Sequence, residues 1–68
     1  MGADELKQCL RRRPFQPFRI RFADGQSVDV TRRFQMAVMP KRFVVLVNDH
    51  LRFFQNETAQ RVEDLQTV

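Results

Sequence analysis

The chain offers few residues that could act as a nucleophile or a general base. It contains one cysteine, Cys9, and one histidine, His50, so cysteine-based catalysis would require these two side chains to meet. Leu6, Cys9 and Leu10 recur at helical spacing, which predicts that Cys9 is a small core residue rather than a nucleophile. His50 follows a predicted turn, where an exposed polar residue is ordinary. The sequence therefore favours a protein that is not an enzyme.

Metal and cofactor sites are not indicated either. A single cysteine and a single histidine exclude an intrachain disulfide and argue against a Cys/His zinc site. Asp24 belongs to a predicted turn and Asp29 is predicted to face Arg19, so the two carboxylates do not form an acid–base pair. The only glycines, Gly2 and Gly25, are too few for a loop that cradles phosphate. We expect no catalytic residue, no bound metal and no cofactor.

Arginine is the residue type whose number and position suggest a ligand. The formal net charge is +4, and residues 11–52 hold ten basic residues against three acidic ones. A basic body favours nucleic acid, an acidic protein or an anionic membrane surface as partner. The alternative is that these are ordinary solvated surface residues. The candidate polyanion-binding residues are Arg11, Arg12, Arg13, Arg19, Arg21, Arg32, Arg33, Lys41 and Arg42.

Protein interaction is the other class of function that the residues suggest. Phe53 and Phe54 are adjacent, so on a strand one of them points away from the core. An exposed Phe beside an open strand edge invites strand addition or self-association, and a chain of 68 residues has room for only one small core. Phe34, Phe53 and Phe54 are the candidate interaction surface. We predict a protein-interaction or self-assembling module of unknown partner, with a basic RNA-binding module as the alternative.

A short helix is predicted over residues 4–12. Asp4 is the expected N-cap, and Pro14 ends the helix by forcing the preceding residue out of the α region. The arginines at 11–13 then lie at the negative end of the helix dipole, which would account for them without a ligand. Two prolines predict an extended connection after the helix, with Phe15 covering one end of the core.

Residues 18–30 predict a β-hairpin. Phe18, Ile20 and Phe22 alternate with arginines, and the alternation resumes after Asp24-Gly25. A two-residue loop would place Asp29 on the Phe face, whereas a three-residue loop, 23–25, pairs Ile20 with Val28 and Arg19 with Asp29. We therefore predict the three-residue loop, with Gly25 in the left-handed conformation.

The second half of the chain predicts another hairpin. The apolar run 43–47 is typical of a central strand, Asn48-Asp49 favours a tight turn, and residues 51–54 return as the partner strand. Residues 31–42 are left open, since Phe34, Met36 and Val38 alternate but the path around them is not fixed. The apolar residues of the tail, at 62, 65 and 68, fit a last strand or a helical end equally well.

These elements predict one α+β domain, mostly β, over residues 1–68: a short helix, then about five short antiparallel strands over roughly 17–68 in a small SH3-like or Sm-like barrel. The free cysteine and the polar N-terminus, which lacks the apolar stretch of a signal peptide, favour a soluble cytoplasmic protein. The longest apolar run is too short to span a membrane.

Two resemblances add to this interpretation. The stretch from Leu6 to Val30, with Arg12-Arg13-Pro14-Phe15-Gln16-Pro17-Phe18-Arg19-Ile20 followed by Ala23-Asp24-Gly25, resembles a group of small uncharacterised bacterial proteins, which implies family membership and no site. The apolar alternation of 18–22 with Asp24-Gly25 and Val28 resembles Sm-like RNA-binding proteins. That resemblance implies a bent five-stranded sheet behind a helix, RNA as ligand and an oligomer, although Val30 stands where the Sm pattern has glycine.

Overall fold

The computed structural model describes residues 1–65. Within this range one helix, α1 (Ala3–Arg11), precedes six strands that form two three-stranded antiparallel sheets. The predicted class, α+β and mostly β, is confirmed, and no closed barrel is found among these residues. The strands are β1 (Phe18–Phe22), β2 (Ser27–Val30), β3 (Met36–Val38), β4 (Arg42–Val47), β5 (His50–Gln55) and β6 (Ala59–Asp64).

Helix α1 begins one residue earlier than the sequence predicts, and Asp4 as its N-cap is wrong. Gly2 is the N-cap, and its backbone N–H donates to Glu5 Oε1 at 3.2 Å. A carboxylate at the third helical position that reaches back to the cap nitrogen satisfies an otherwise unpaired donor. Asp4 lies instead in the first turn, at the positive end of the dipole. Leu6 and Cys9 are buried and fix the helix to the sheets.

The first sheet has the strand order β2-β1-β6. Ile20 faces Val28 and Arg19 faces Asp29, as the three-residue loop predicts, and Gly25 adopts a positive φ of 89°. On the other side of β1, Ile20 faces Val62 of β6. The tail that the sequence left open therefore forms a strand as far as Asp64, while the predicted apolar position 68 lies outside the described residues.

The second sheet has the order β3-β4-β5. Asn48 and Asp49 form the two-residue turn between β4 and β5, with positive φ values of 50° and 65°, which suits the right-handed twist of a hairpin. In the segment left open, a 3₁₀ turn at Arg33–Gln35 leads directly into β3. Phe34 lies in that turn, so it does not share the strand alternation of Met36 and Val38.

Aromatic rings join the two sheets. The Phe54 ring centroid lies 4.6 Å from that of Phe22 and 5.3 Å from that of Phe43, in stacked arrangements. Around them the most deeply buried side chains are Leu6, Phe18, Ile20, Val30, Phe43 and Val45. Removing a side chain of this size from water stabilises the fold by about 1.5–3 kcal/mol. The core thus lies between the sheets, with α1 covering one end, and none of the described helices is long and apolar enough to cross a membrane.

Candidate interaction surface

The outer side of the second sheet carries a row of apolar side chains. The register places Val44 opposite both Ala37 and Phe53, and Leu46 opposite Leu51. These residues alternate with buried Phe43 and Val45, so they lie on the side away from the core. Leu51 is 65% exposed, Phe53 60% and Leu46 43%. We call this set, Ala37, Val44, Leu46, Leu51 and Phe53, the apolar face.

Phe34 extends the apolar face beyond the strands. Its side chain is 95% exposed, which is unusual for a large aromatic residue. Gln35 holds the turn in place, because its Nε2 donates to Leu46 O at 2.8 Å and to Asp29 O at 3.0 Å. Phe34 and Leu46 consequently line one shallow groove of about 560 Å³.

Phe53 and Phe54 point in opposite directions, as expected for neighbours on a strand. Phe53 belongs to the apolar face. Phe54 is half-buried, stacks on Phe22 and Phe43, and has the Arg52 guanidinium carbon 5.2 Å from its ring centroid. Phe53 is therefore available to a partner, whereas Phe54 serves mainly to join the sheets.

The strand that carries Phe53 is an edge of its sheet. No other described strand pairs with the far side of β5. The Asn56 N–H donates to Lys41 O at 3.0 Å, and in an antiparallel pair the backbone groups that face the neighbour alternate along the strand. By that alternation His50, Arg52 and Phe54 bond to β4, and the N–H and C=O groups of 51, 53 and 55 point outward. Gln55 O accepts a bond from Thr58 Oγ1 at 2.7 Å.

Two of the predicted polyanion-binding arginines are engaged within the first sheet. Arg19 donates to both carboxylate oxygens of Asp29, at 2.7 and 3.2 Å, and Arg21 Nε donates to Glu63 Oε1 at 2.6 Å. The hydrogen bond from Arg19 lowers the pKa of Asp29, and that from Arg21 lowers the pKa of Glu63. The charge of both arginines is thus balanced by carboxylates on the outer side of this sheet.

Other arginines gather where α1 ends. Arg33 Nε donates to Leu10 O at 3.0 Å and its Nη2 donates to Arg12 O at 2.9 Å, while its guanidinium lies over the Phe15 ring. These bonds hold the 3₁₀ turn against the C-terminus of the helix. The arginine cluster so formed comprises Arg11, Arg12, Arg13, Arg32 and Arg33. Within it Arg12 is paired with Asp64 of β6.

The remaining candidates, Lys41 and Arg42, lie elsewhere. Lys41 lines a groove with Gly2 at the opposite end of α1, and Arg42 is the first residue of β4. The nine basic candidates therefore divide into Arg19 and Arg21 within the first sheet, the cluster at the end of the helix, and Lys41 and Arg42 at the start of β4.

Cys9 and His50 lie in different environments. Cys9 is buried, and that burial raises the pKa of its thiol, so the group is a protonated thiol at neutral pH rather than a nucleophilic thiolate. His50 is exposed at the start of β5. Residues 1–65 hold no group of three His, Cys, Asp or Glu side chains that could bind a metal ion.

Comparison with family models, with curated proteins and with solved structures found no match to this chain. We therefore infer its function from the geometry of its own residues. The sequence prediction named Phe34 and Phe53 but missed Leu46 and Leu51. Counting outward from the two-residue turn Asn48-Asp49 would have found them, since that turn sets Leu46 opposite Leu51 on the Phe53 side.

Proposed function

We propose that this protein is a small, non-catalytic protein-interaction or self-assembling module that binds through the apolar face and Phe34. The observation that carries the proposal is the continuous row of large, exposed apolar side chains on one side of the second sheet. Contiguous apolar patches on small proteins mark interaction sites, whereas single exposed apolar residues are ordinary.

The size of the side chains indicates how strong such binding can be. Covering an exposed Phe or Leu contributes about 1.5–3 kcal/mol, and every 1.4 kcal/mol is roughly tenfold in Kd. Phe53 and Leu51, both more than half exposed, can therefore change an affinity by one to two orders of magnitude each. Because this contribution does not come from charge, binding survives added salt.

The test compares the wild-type chain with Phe53→Ser and with Gln60→Ser, a control at an exposed residue of β6 in the other sheet. Self-association is followed by sedimentation velocity, and partner binding by affinity capture from an extract, both at 0.1 and 0.5 M NaCl. We expect association at both salt concentrations for the wild type and the control, and at least a tenfold weakening for Phe53→Ser. If the chain stays monomeric and captured proteins bind the Phe53→Ser variant equally, the proposal is wrong.

The arginine cluster favours a second candidate, the binding of RNA as a basic module of Sm-like type. Arg33 draws the 3₁₀ turn to the end of α1, and Arg32 lines a groove together with the exposed Phe34 ring. Such a combination suits a single-stranded backbone with a base stacked on the ring. It is the weaker candidate because Arg19 and Arg21 are already balanced by Asp29 and Glu63.

Fluorescence anisotropy with a labelled, mixed-sequence single-stranded RNA tests this candidate. Binding should fall with a log–log salt slope of about 0.7 for each phosphate neutralised. Arg11→Glu with Arg13→Glu should abolish it, whereas Arg19→Glu with Arg21→Glu, which alters the charge equally, should weaken it less. Absence of binding at 50 mM salt would remove the RNA-binding candidate.

We also propose that the two sheets form a small barrel of SH3-like or Sm-like type. A helix followed by short antiparallel strands, with the stacked rings of Phe22, Phe43 and Phe54 between two sheets, supports a small barrel of SH3-like or Sm-like type. The resemblance to the small bacterial group and the cytoplasmic location remain predictions from the sequence. The reduced, buried Cys9 is compatible with such a location.

A further inference from the structure

The described sheets have four edge strands, and only one of them is suited to pairing with another strand. β2 is four residues long and β3 is three, which limits the hydrogen bonds that either can offer. β6 carries Arg61, Glu63 and Asp64, and charged side chains on an edge discourage strand addition. β5 has six residues, carries Leu51 and Phe53 on the apolar face, and has one permanent charge, Arg52.

The open edge of β5 can pair with the same edge of a second copy. A two-fold axis perpendicular to the sheet makes two identical strands antiparallel and keeps each side chain on its own side of the sheet. Such an axis must pass through a pair of equivalent residues. Axes at residue 52 or at residue 53 each pair five residues of the strand, and other positions pair fewer. Two registers of the β5–β5 pair therefore remain, one with the axis at Arg52 and one with the axis at Phe53.

The side chains favour the axis at Phe53. An axis at Arg52 sets the two Arg52 guanidinium groups directly opposite each other, which is unfavourable across a strand pair. With the axis at Phe53, the two Phe53 rings face each other and Arg52 of each copy faces Phe54 of the other. Arg52 already lies 5.2 Å from its own Phe54 ring, so the cation meets a second aromatic ring. Residues 51 and 55 then face each other, and the outward backbone groups of 51, 53 and 55 all meet partners, with Gln55 O accepting a second bond beside the one from Thr58 Oγ1.

We propose that the protein forms a closed dimer in which β5 pairs antiparallel with β5 of a second copy, with Phe53 opposite Phe53. This inference rests on the proposed function and names the partner of the same surface as another copy of the chain. The two sheets become one six-stranded sheet, and the two apolar faces become continuous. An aromatic pair stabilises the contact beyond the effect of its buried area. Because the axis is two-fold, assembly stops at the dimer.

Electrostatic repulsion between the two copies opposes the dimer weakly. The affinity of the dimer should therefore increase with salt concentration. In this register the two Arg52 side chains are diagonal neighbours, about 7–8 Å apart, and their repulsion in a water-like environment is weak. Each copy also carries a formal net charge of +4. Added salt screens both repulsions, so the dimer tightens as salt rises, whereas a complex with RNA would weaken.

Cysteine cross-linking tests the register directly. In a Cys9→Ala background, single cysteines are introduced at 51, 52, 53 and 54, and each variant is mildly oxidised. Facing residues of a hydrogen-bonded antiparallel pair have Cα atoms about 5.5 Å apart, which suits a disulfide. Oxidation is carried out at 0.5 mM protein, so that the dimer is still populated when the Phe53 ring is replaced, and we expect Phe53→Cys to give a covalent dimer at least tenfold faster than the others. Leu51→Cys is the matched control, since the two copies of residue 51 lie four residues apart along the strand, roughly 13 Å.

The cross-linking and sedimentation results can refute the Phe53 register, the dimer and the proposed function independently of one another. Fastest cross-linking at 51, 52 or 54, in a chain that sediments as a dimer, overturns the Phe53 register but leaves self-association in place. A chain that stays monomeric at 0.5 mM and 0.5 M NaCl overturns the dimer. If that monomer still binds another protein in a Phe53-dependent way, the proposed function survives, and if it does not, both proposals are wrong. Circular dichroism of each variant checks that the fold is retained.

Discussion

Two neighbouring phenylalanines on β5 should differ sharply in their effect on stability. Truncating a fully buried Phe to Ala costs about 3–5 kcal/mol. Phe54 is half-buried against Phe22 and Phe43, so Phe54→Ala should lower the free energy of unfolding by roughly 2–3 kcal/mol. Phe53 is 60% exposed on the outer side, and changes at such positions stay within about 0.5 kcal/mol.

Urea unfolding of the two variants at about 1 µM protein measures this difference. The low concentration matters, because a dimer would add a concentration-dependent contribution to the apparent stability. Thermal unfolding provides a second measurement of the same difference. For a domain of this size, 1 kcal/mol corresponds to roughly 4–8 °C in Tm. The Tm of Phe54→Ala should therefore lie about 10–20 °C below that of the wild type, while the Tm of Phe53→Ala stays within a few degrees. Equal losses for the two variants would refute the assignment of the inner and outer sides of β5.

Three further changes test the contacts that shape the molecule. Gly25→Ala should cost about 1 kcal/mol in urea unfolding, because φ is 89° and no atom lies near enough to clash; no loss would contradict the left-handed turn. Arg33→Gln should cost about 1–2 kcal/mol by leaving the carbonyls at the end of α1 without their donor, and Arg33→Lys should recover only part of the loss. The pKa of Asp29 is lowered in the folded state by its bond from Arg19, so the stability that this carboxylate contributes is present at neutral pH and is lost as the pH falls below about 4. The urea midpoint of Asp29→Asn should therefore fall less than that of the wild type between pH 6 and pH 2.5, and parallel decreases would contradict this.

The hairpins were predictable because each depends on residues close in sequence. Parity around Asp24-Gly25 selects the register in which Arg19 meets Asp29, and only that register places Val28 and Val30 on the same side of the sheet as the Phe residues of β1. Asn48-Asp49 likewise tolerates the positive φ values of a two-residue turn. In both hairpins the conformation of the turn and the hydrophobic pattern of the strands favour the same register.

The features that were not predictable depend on contacts distant in sequence. Phe34 leaves the alternation of Met36 and Val38 because Gln35 binds carbonyls of β2 and β4, and no local pattern reports such bonds. The pairing of Arg21 with Glu63 required β6 to lie beside β1, which the apolar spacing of the tail did not settle. The sequence therefore could not show which of the candidate arginines are paired with carboxylates.

Amide NMR spectra of the ¹⁵N-labelled chain, recorded from 20 µM to 1 mM in 0.5 M NaCl, test the central claim most directly. If the apolar face and the edge of β5 associate, the amide signals of Leu51, Phe53 and Gln55 should shift or broaden with concentration, and signals from β2 should not. Spectra that are unchanged across this range, or changes confined to the arginine cluster at the end of α1, would contradict association through this face.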